Sequence, residues 1–149
     1  MTCEARWRPK CQIILALMRM TFFYGTFALG LAAQNANLLV NENVMAPMRD
    51  GVRLASDVYR PAAEGKYPVI LIRTPYDKRG LRSQCTTFAE NGYVCISQDC
   101  RGRFRSEGEF YAFVNEGKDG FDAIEWAAGQ PWSNAKVATF GGSYLAWDQ

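Results

Sequence analysis

Four consecutive apolar residues, Val-Ile-Leu-Ile, lie at positions 69–72, inside the strand-like segment formed by residues 67–76. Neighbouring side chains of a β-strand point to opposite faces of a sheet, so this run indicates a strand that is buried on both faces. Residues 93–97 (YVCIS) predict a second buried strand, and residues 136–140 (KVATF) predict a third strand. A sheet made of such strands has to be covered on both faces, which restricts the chain to architectures with helices on each side.

Helical patterns alternate with these strands. Residues 81–90 end at Asn91-Gly92, a typical C-terminal signal of a helix. Residues 116–129 would form a helix with an apolar face made of Phe121, Ile124 and Ala128. Because a strand that reaches the next strand through a helix usually runs parallel to it, the pattern predicts parallel pairing of the three strands. We expect the last of these strands to be central in the sheet.

Two extended runs, residues 44–48 and 52–59, precede the first helix-flanked strand, and Arg49-Asp50-Gly51 between them is a turn signal. We therefore predict a hairpin at the start of the body. Together these patterns predict an α/β fold with a mostly parallel sheet, flanking helices and an N-terminal hairpin. Residues 34–149 contain neither repeats nor low-complexity tracts and are interpreted as one domain.

Residues 1–33 are interpreted as a leader. They hold four basic residues and one acidic residue, a net charge of +3, whereas residues 34–149 hold thirteen basic and fourteen acidic residues, a net charge of −1. The positive flank, the uncharged residues 20–33 and a small-residue exit predict a secretory signal peptide, cleaved near Ala32 or Ala33, and hence a secreted or periplasmic protein. An uncleaved membrane anchor is the alternative, and the true start stays open between Met1 and Met18.

The chain contains no histidine, which excludes a histidine-ligated metal site, a histidine general base and a complete Ser-His-Asp triad within these residues. Outside the leader there are three cysteines, Cys85, Cys95 and Cys100, without CxxC spacing, which argues against zinc. Cys95 lies in an apolar run and is interpreted as a plain core residue, so we assign no disulfide. The slightly acidic body argues against nucleic acid as a partner.

The third strand runs directly into Gly141-Gly142-Ser143-Tyr144. A serine at a sharp strand-to-helix turn, with glycines where Cβ atoms would crowd, presents its hydroxyl as a nucleophile. The backbone N–H of Tyr144 would then lie at the start of the next helix, where it can stabilise an oxyanion. The strict G-x-S-x-G form is not met, because Leu145 occupies its last position. An ordinary Gly-Ser turn is the alternative.

Four segments of the body fit one known pattern in order: residues 48–61 (MRDGVRLASDVYRP), 68–78 (PVILIRTPYDK), 98–110 (QDCRGRFRSEGEF) and 119–146, which ends in GGSYLA. On these motifs the chain resembles the Xaa-Pro dipeptidyl-peptidase-like family of α/β-hydrolases, which comprises peptidases, esterases and acylases. The resemblance implies that the chain is the N-terminal part of an α/β-hydrolase fold, with the C-terminal half absent.

The resemblance also implies residue roles. Ser143 corresponds to the nucleophile that is acylated, Tyr144 would give its backbone N–H to the oxyanion hole, and Tyr76 would give its phenolic O–H. An aromatic packed on the core is the alternative for Tyr76. Asp99 and Arg101 are expected to brace the site, paired with each other or with loop carbonyls. Three carboxylates near a helix start are expected to be solvated: Asp119, Asp122 and Glu125.

The activity implied by the resemblance is cleavage of a small ester, amide or peptide through an acyl-enzyme, without a metal or organic cofactor. In this fold the acid and the histidine follow the nucleophile in chain order, so we expect these 149 residues alone to be inactive. The alternative is a catalytically inactive short product that acts as a binding module or, with an uncleaved leader, as a membrane-tethered interaction protein. The sequence indicates no oligomeric state.

Overall fold

Strand β3 (Tyr67–Thr74) pairs along both of its edges, with β4 (Val94–Asp99) on one side and β5 (Ser133–Thr139) on the other, and both pairings are parallel. In the computed structural model, which describes residues 37–148, two more strands extend the sheet beyond β4. Strand β2 (Arg53–Pro61) pairs antiparallel with β4, and β1 (Leu38–Pro47) pairs antiparallel with β2. The strand order is therefore β1-β2-β4-β3-β5.

Helices form the two crossover connections of the sheet. A 3₁₀ turn (Lys78–Leu81) and helix α1 (Arg82–Glu90) lead from β3 to β4, and helix α2 (Glu116–Ala128) lies between β4 and β5. A short helix, α3 (Tyr144–Trp147), follows β5. Helix α1 ends before Gly92, whose φ of 83° is a conformation that glycine adopts without steric cost.

The prediction for residues 69–72 is confirmed, because all four side chains are buried and they alternate between two apolar clusters. Val69 and Leu71 pack in the cluster that includes alanines of α2, whereas Ile70 and Ile72 pack in the cluster that includes residues of α1. Burial of an aliphatic side chain of this size stabilises the folded state by about 1.5–3 kcal/mol relative to exposure. Each face of β3 is thus covered by its own helix.

The hairpin predicted at the start of the body is found, because β1 and β2 pair antiparallel. Ser56 to Tyr59 of β2 also pair with β4, which makes the hairpin part of the same, mixed sheet. Within residues 37–148, strand β5 pairs with β3 alone and is the last strand on that side, so its expected central place in the sheet stays a prediction. Strand β5 begins earlier than predicted, at Ser133, because Tyr67 of β3 already pairs with that residue.

Helix α2 turns a different face to the sheet from the one predicted. Phe121 is 57% exposed and lies under the guanidinium of Arg49, 5.4 Å from the ring centroid. Ile124 is half-buried, whereas Ala123 and Ala127 are fully buried in the core. Of the predicted residues, Ile124 packs against the core and Ala128 is half-buried. The buried face is centred on Ala123 and Ala127, whose small side chains let the helix backbone approach the sheet closely.

A disulfide joins Cys85 of α1 to Cys95 of β4, with the two Cα atoms 5.1 Å apart. The interpretation of Cys95 as a plain core residue without a bridge is therefore wrong. Both bonded cysteines are fully buried, and free cysteines are buried as often, so burial alone could not reveal the bond in the sequence. Cys100 is buried and free.

The predicted leader and its cleavage near Ala32 or Ala33 lie outside the described residues. Both therefore stay predictions. Among residues 37–148, no helix has the length and apolar character that crossing a membrane requires.

Alkylation followed by mass spectrometry tests the disulfide, because a single tryptic peptide, residues 83–101, contains Cys85, Cys95 and Cys100. In this peptide we expect one alkyl group, on Cys100, when the protein is unfolded without reduction, and three after reduction. Replacement of both bonded cysteines by alanine should lower the free energy of unfolding by about 3 kcal/mol, the loop-closure entropy of a short loop. An alkyl group on Cys85 or Cys95 before reduction would contradict the pairing.

Candidate active site

Ser143 lies between the end of β5 and the first residue of α3, in the strand-to-helix turn that the sequence predicts. Its φ is 58° and its ψ is −128°, a strained conformation for a residue that has a side chain, and the residue is exposed. An added Cβ at Gly142 would meet nothing within 4 Å, so the crowding expected at this glycine is not found in the described structure. The strained turn itself carries Ser143 into solvent.

Tyr144 is the first residue of α3, so its backbone N–H belongs to the first helical turn, where N–H groups have no acceptor within the helix. Its hydroxyl donates to Glu116 Oε1 at 2.6 Å and accepts from the backbone N–H of Phe113 at 3.2 Å. Burial and the hydrogen bond to Glu116 raise the pKa of Tyr144 to about 12, so the phenol keeps its proton at neutral pH.

Tyr76 lies two residues beyond the end of β3 and is 64% exposed, which does not fit the alternative of an aromatic packed on the core. Its ring stands edge-on to the ring of Tyr144, with centroids 6.4 Å apart and an interplanar angle of 72°. The structure therefore brings Tyr76 beside Tyr144, the residue that follows Ser143. All three lie at the carboxyl ends of β3 and β5, the edge at which α/β sheets bind their ligands.

Asp99 and Arg101, in the loop that begins at the end of β4, form hydrogen bonds with residues other than those expected. Asp99 and Arg101 do not pair with each other. The Asp99 carboxylate accepts from the backbone N–H groups of Lys78 at 2.8 Å and Arg105 at 3.3 Å, and burial raises its pKa. Arg101 instead donates to Asp119 at 2.6 Å and to Asp50 at 2.7 Å. These longer-range pairs join the loop to α2 and to the hairpin turn.

Asp119 was expected to be solvated and is instead 1% exposed. Both of its oxygens accept from the guanidinium of Arg101, at 2.6 and 2.9 Å, and Oδ2 also lies 3.9 Å from the guanidinium of Arg73. The hydrogen bond to Asp119 raises the pKa of Arg101 further. Asp122, expected to be solvated as well, pairs with Arg49 at 2.6 Å, whereas Glu125 is exposed as expected. The difference arises because Asp119 lies on the inner face of α2, toward two arginines.

Arg73, at the end of β3, connects the short helix α3 to the sheet. Its buried guanidinium donates to the backbone oxygens of Glu116, at 2.9 Å, and of Asp148, and to the side chain of Gln98 at 3.1 Å. Asp148 is fully buried, and its carboxylate accepts from the thiol of Cys100 at 3.2 Å. Burial raises the pKa of Asp148 to about 6.

A cavity of about 450 Å³ lies beside α3 and is lined by Phe113, Glu116, Gly117 and Trp147. Phe113 and Trp147 meet edge to face, with ring centroids 6.1 Å apart. Glu116 belongs to this wall and also binds the hydroxyl of Tyr144. Mostly apolar walls with one polar group are typical of a small-molecule site. In the part of the chain that the structure describes, no group of three or more His, Cys, Asp or Glu residues could hold a metal ion.

Sequence reasoning missed the residues that hold this region in place. Arg73 gave a signal, since a charged residue at the end of an apolar run has to be paired when it is buried. The sequence contains no signal for Glu116 or for the buried ion pair between Lys78 and Asp57. The partners are distant in the chain, and only the folded sheet brings them together.

A strained serine between a strand and a helix, at the carboxyl edge of a sheet that has helices on both faces, is the arrangement of an α/β-hydrolase. The comparison with known families agrees with this class. Residues 50–149 match the X-Pro dipeptidyl-peptidase (S15) family, and the chain belongs to that family.

Known relatives confirm the predicted fold and family. Cocaine esterase from Rhodococcus sp. (strain MB1 Bresler) is 46% identical over 121 residues, which cover 77% of this chain and 21% of the esterase. Among solved structures, an α-amino acid ester hydrolase has a TM-score of 0.68 and 31% identity over 79% of this chain and 23% of its own. A CocE/NonD family hydrolase from Staphylococcus aureus has a TM-score of 0.67 and 27% identity, covering 74% and 24%. The chain thus spans less than a quarter of the length of these relatives.

The pH dependence of stability tests the environment of Asp148. Its pKa is raised from 3.8 to about 6, so between about pH 4 and 6 the folded state keeps a proton that the unfolded state has lost. This group therefore lowers the free energy of unfolding as the pH rises through that range. In denaturant unfolding experiments, we expect Asp148→Asn to remove this decrease in the free energy of unfolding between about pH 4 and 6.

Asp122→Asn is the matched control for this experiment. The hydrogen bond from Arg49 lowers the pKa of Asp122, so its contribution is lost as the pH falls below about 4, the opposite trend. If the pH profile of Asp148→Asn coincides with that of the wild type between pH 4 and 6, Asp148 does not titrate as described.

Proposed function

We propose that this chain carries the nucleophile and both oxyanion donors of a serine hydrolase that cleaves ester or peptide bonds. The observation that supports this most is the strained conformation of Ser143 at the start of α3, next to the paired rings of Tyr144 and Tyr76. Strained residues persist only where the surrounding structure supports them, and they cluster at functional sites. Membership of a hydrolase family supports the kind of chemistry.

In the proposed reaction, Ser143 Oγ attacks the carbonyl carbon of the substrate while its proton passes to a general base. The carbonyl oxygen becomes an oxyanion and accepts hydrogen bonds from the Tyr144 N–H and the Tyr76 hydroxyl. Collapse of this intermediate breaks the ester or amide bond. The alcohol or amine leaves with the proton, and the acyl group stays on Ser143 Oγ. Water then attacks the acyl-enzyme and releases the acid.

The general base and the acid that orients it are proposed to come from a part of the protein outside these 149 residues. Two observations support this. The chain contains no histidine, and it matches only 21% of the length of the related cocaine esterase. A serine hydroxyl without a base is a weak nucleophile, so we propose that these residues alone do not turn over substrate.

Small esters, amides or short peptides are the proposed substrates. Two relatives are named as hydrolases of esters, a cocaine esterase and an α-amino acid ester hydrolase, and the family is named for dipeptidyl-peptidases. Ester and amide cleavage share the acyl-enzyme chemistry, so both belong to the proposal. The aromatic wall formed by Phe113 and Trp147 suits an apolar part of a small substrate.

Export of the protein is also proposed, with cleavage of the leader near Ala32 or Ala33. The basic residues before the uncharged residues 20–33 support it. The disulfide between Cys85 and Cys95 is a second support, because structural disulfides persist mainly in oxidising compartments.

A fluorophosphonate probe tests the nucleophile in the protein expressed from its complete reading frame. We expect the wild type to be labelled on Ser143 and Ser143→Ala to remain unlabelled, because the probe reacts with a serine that has an active base. Peptide mass spectrometry locates the label. Ser133→Ala is the control, since Ser133 is buried at the start of β5. Equal labelling of wild type and Ser143→Ala would reject Ser143. A wild type without label or hydrolysis would favour an inactive binding module.

In the protein expressed from its complete reading frame, replacement of Tyr76 by phenylalanine tests the oxyanion donor, since it removes the hydroxyl and keeps the ring that packs against Tyr144. Loss of one such donor lowers kcat by about 10² to 10³, and we expect this fall with little change in KM. Tyr93→Phe is the control, because Tyr93 precedes β4 at the opposite edge of the sheet. An unchanged kcat in Tyr76→Phe would show that the hydroxyl is not a donor to the transition state.

A further inference from the structure

The turn that carries Tyr76, residues 75–78, has to be held in place by contacts other than those of the Tyr76 ring. With 64% of its surface exposed, Tyr76 gains little from packing. The following residue, Asp77, has a φ of 88°, a conformation that costs free energy in a residue with a side chain. An exposed tyrosine next to a strained residue keeps one position only if the backbone around it is held from outside.

Hydrogen bonds hold the backbone at successive residues of this turn. Arg103 Nε donates to the carbonyl oxygen of Pro75 at 2.9 Å, and the N–H of Tyr76 donates to Thr74 Oγ1 at 3.0 Å. The N–H of Lys78 donates to the buried carboxylate of Asp99 at 2.8 Å. The turn is therefore fixed before, at and after Tyr76.

The side chain of Lys78 adds a fixed point on the hairpin. Its ammonium lies 2.8 Å from Asp57 Oδ1 and donates to Asn43 Oδ1 at 3.0 Å, and the side chains of Lys78 and Asp57 are each 3% exposed. The same Asp57 oxygen accepts from the N–H of Asn43 at 2.8 Å, where the β1–β2 register shifts. Lys78 thus connects the turn that carries Tyr76 to the middle of β2 and to the register shift of β1.

A buried ion pair of this kind is a poor device for stability. Removing two charges from water costs several kcal/mol per ion, and the attraction between them roughly repays this cost. Apolar residues of similar volume are often neutral or stabilising in such places. The Lys78–Asp57 pair instead provides a defined geometry. Its hydrogen bonds fix the position of the Lys78 side chain, and therefore the position of the turn that carries Tyr76.

We propose that Lys78 and Asp57 are positioning residues, whose buried ion pair holds the turn that carries Tyr76 in place beside Tyr144. The inference rests on the proposed function, in which the Tyr76 hydroxyl is an oxyanion donor. Neither residue touches the substrate. They act through the backbone of the turn, so their loss should affect the geometry of Tyr76 and the transition state more than binding of the ground state.

The test uses the protein expressed from its complete reading frame and replaces the ion pair by apolar residues in the double variant Lys78→Met/Asp57→Leu, which leaves no unpaired charge in the core. Tyr76 is labelled as 3-fluorotyrosine, and its ¹⁹F NMR line is compared between wild type and variant. We expect a cooperative thermal unfolding transition in both proteins. In the variant we expect the Tyr76 line to move toward the shift of the unfolded chain, and kcat to fall about 10²-fold with KM nearly unchanged.

The control is Arg49→Met/Asp122→Leu, which removes an ion pair of similar length outside the Tyr76 turn and should change neither the line nor kcat. A Lys78/Asp57 variant that is folded, with the wild-type line and kcat, overturns the proposal. A variant that does not fold also overturns it, because the pair then serves stability. If the wild type does not hydrolyse substrate but the line still moves in the variant, the proposed function fails and the positioning role stands.

Discussion

Burial of four consecutive apolar residues of β3 fixes the places of α1 and α2, because each face of the strand needs an apolar cover. The hydrogen bonds of β3 then fix its neighbours, with β4 and β5 parallel to it on either side. Parallel strands end at the same edge of a sheet, so the segments that follow them meet there. Tyr76, Asp99 and Ser143 are brought together in this way, although they are distant in the sequence.

Buried charged residues also lie at this edge of the sheet. Their pairing determines how the loops that follow the strands are held. Arg73 binds backbone oxygens of α2 and of the residue after α3, and Arg101 joins the β4 loop to Asp119 of α2. Each of these charges would be costly if it were unpaired in the core. The loops consequently have little freedom at their anchor points. A strained conformation such as that of Ser143 can persist in this setting because the surrounding contacts support it.

The sequence alone was sufficient for what depends on local pattern. The run at residues 69–72 predicted a strand buried on both faces, and Gly-Gly-Ser-Tyr predicted the strand-to-helix turn. It was insufficient for what depends on partners far away in the chain. Asp99 and Arg101 look like a pair because they are close in sequence, yet Arg101 binds Asp119 and Asp50. The inner face of α2 and the Cys85–Cys95 bond were missed because close approach in the folded protein decides both.

Tyr144 shows why the backbone and the side chain of one residue have to be considered separately in this site. Its N–H is placed by the first turn of α3, whereas its hydroxyl bridges Glu116 of α2 and the N–H of Phe113. Its ring also meets the ring of Tyr76 edge-on. One side chain therefore contacts the loop before α2, the first residue of α2 and the ring of Tyr76, whereas the backbone N–H of the same residue is placed by the start of α3. The two proposed oxyanion donors thus belong to residues that are in ring contact but whose backbones are held by different partners.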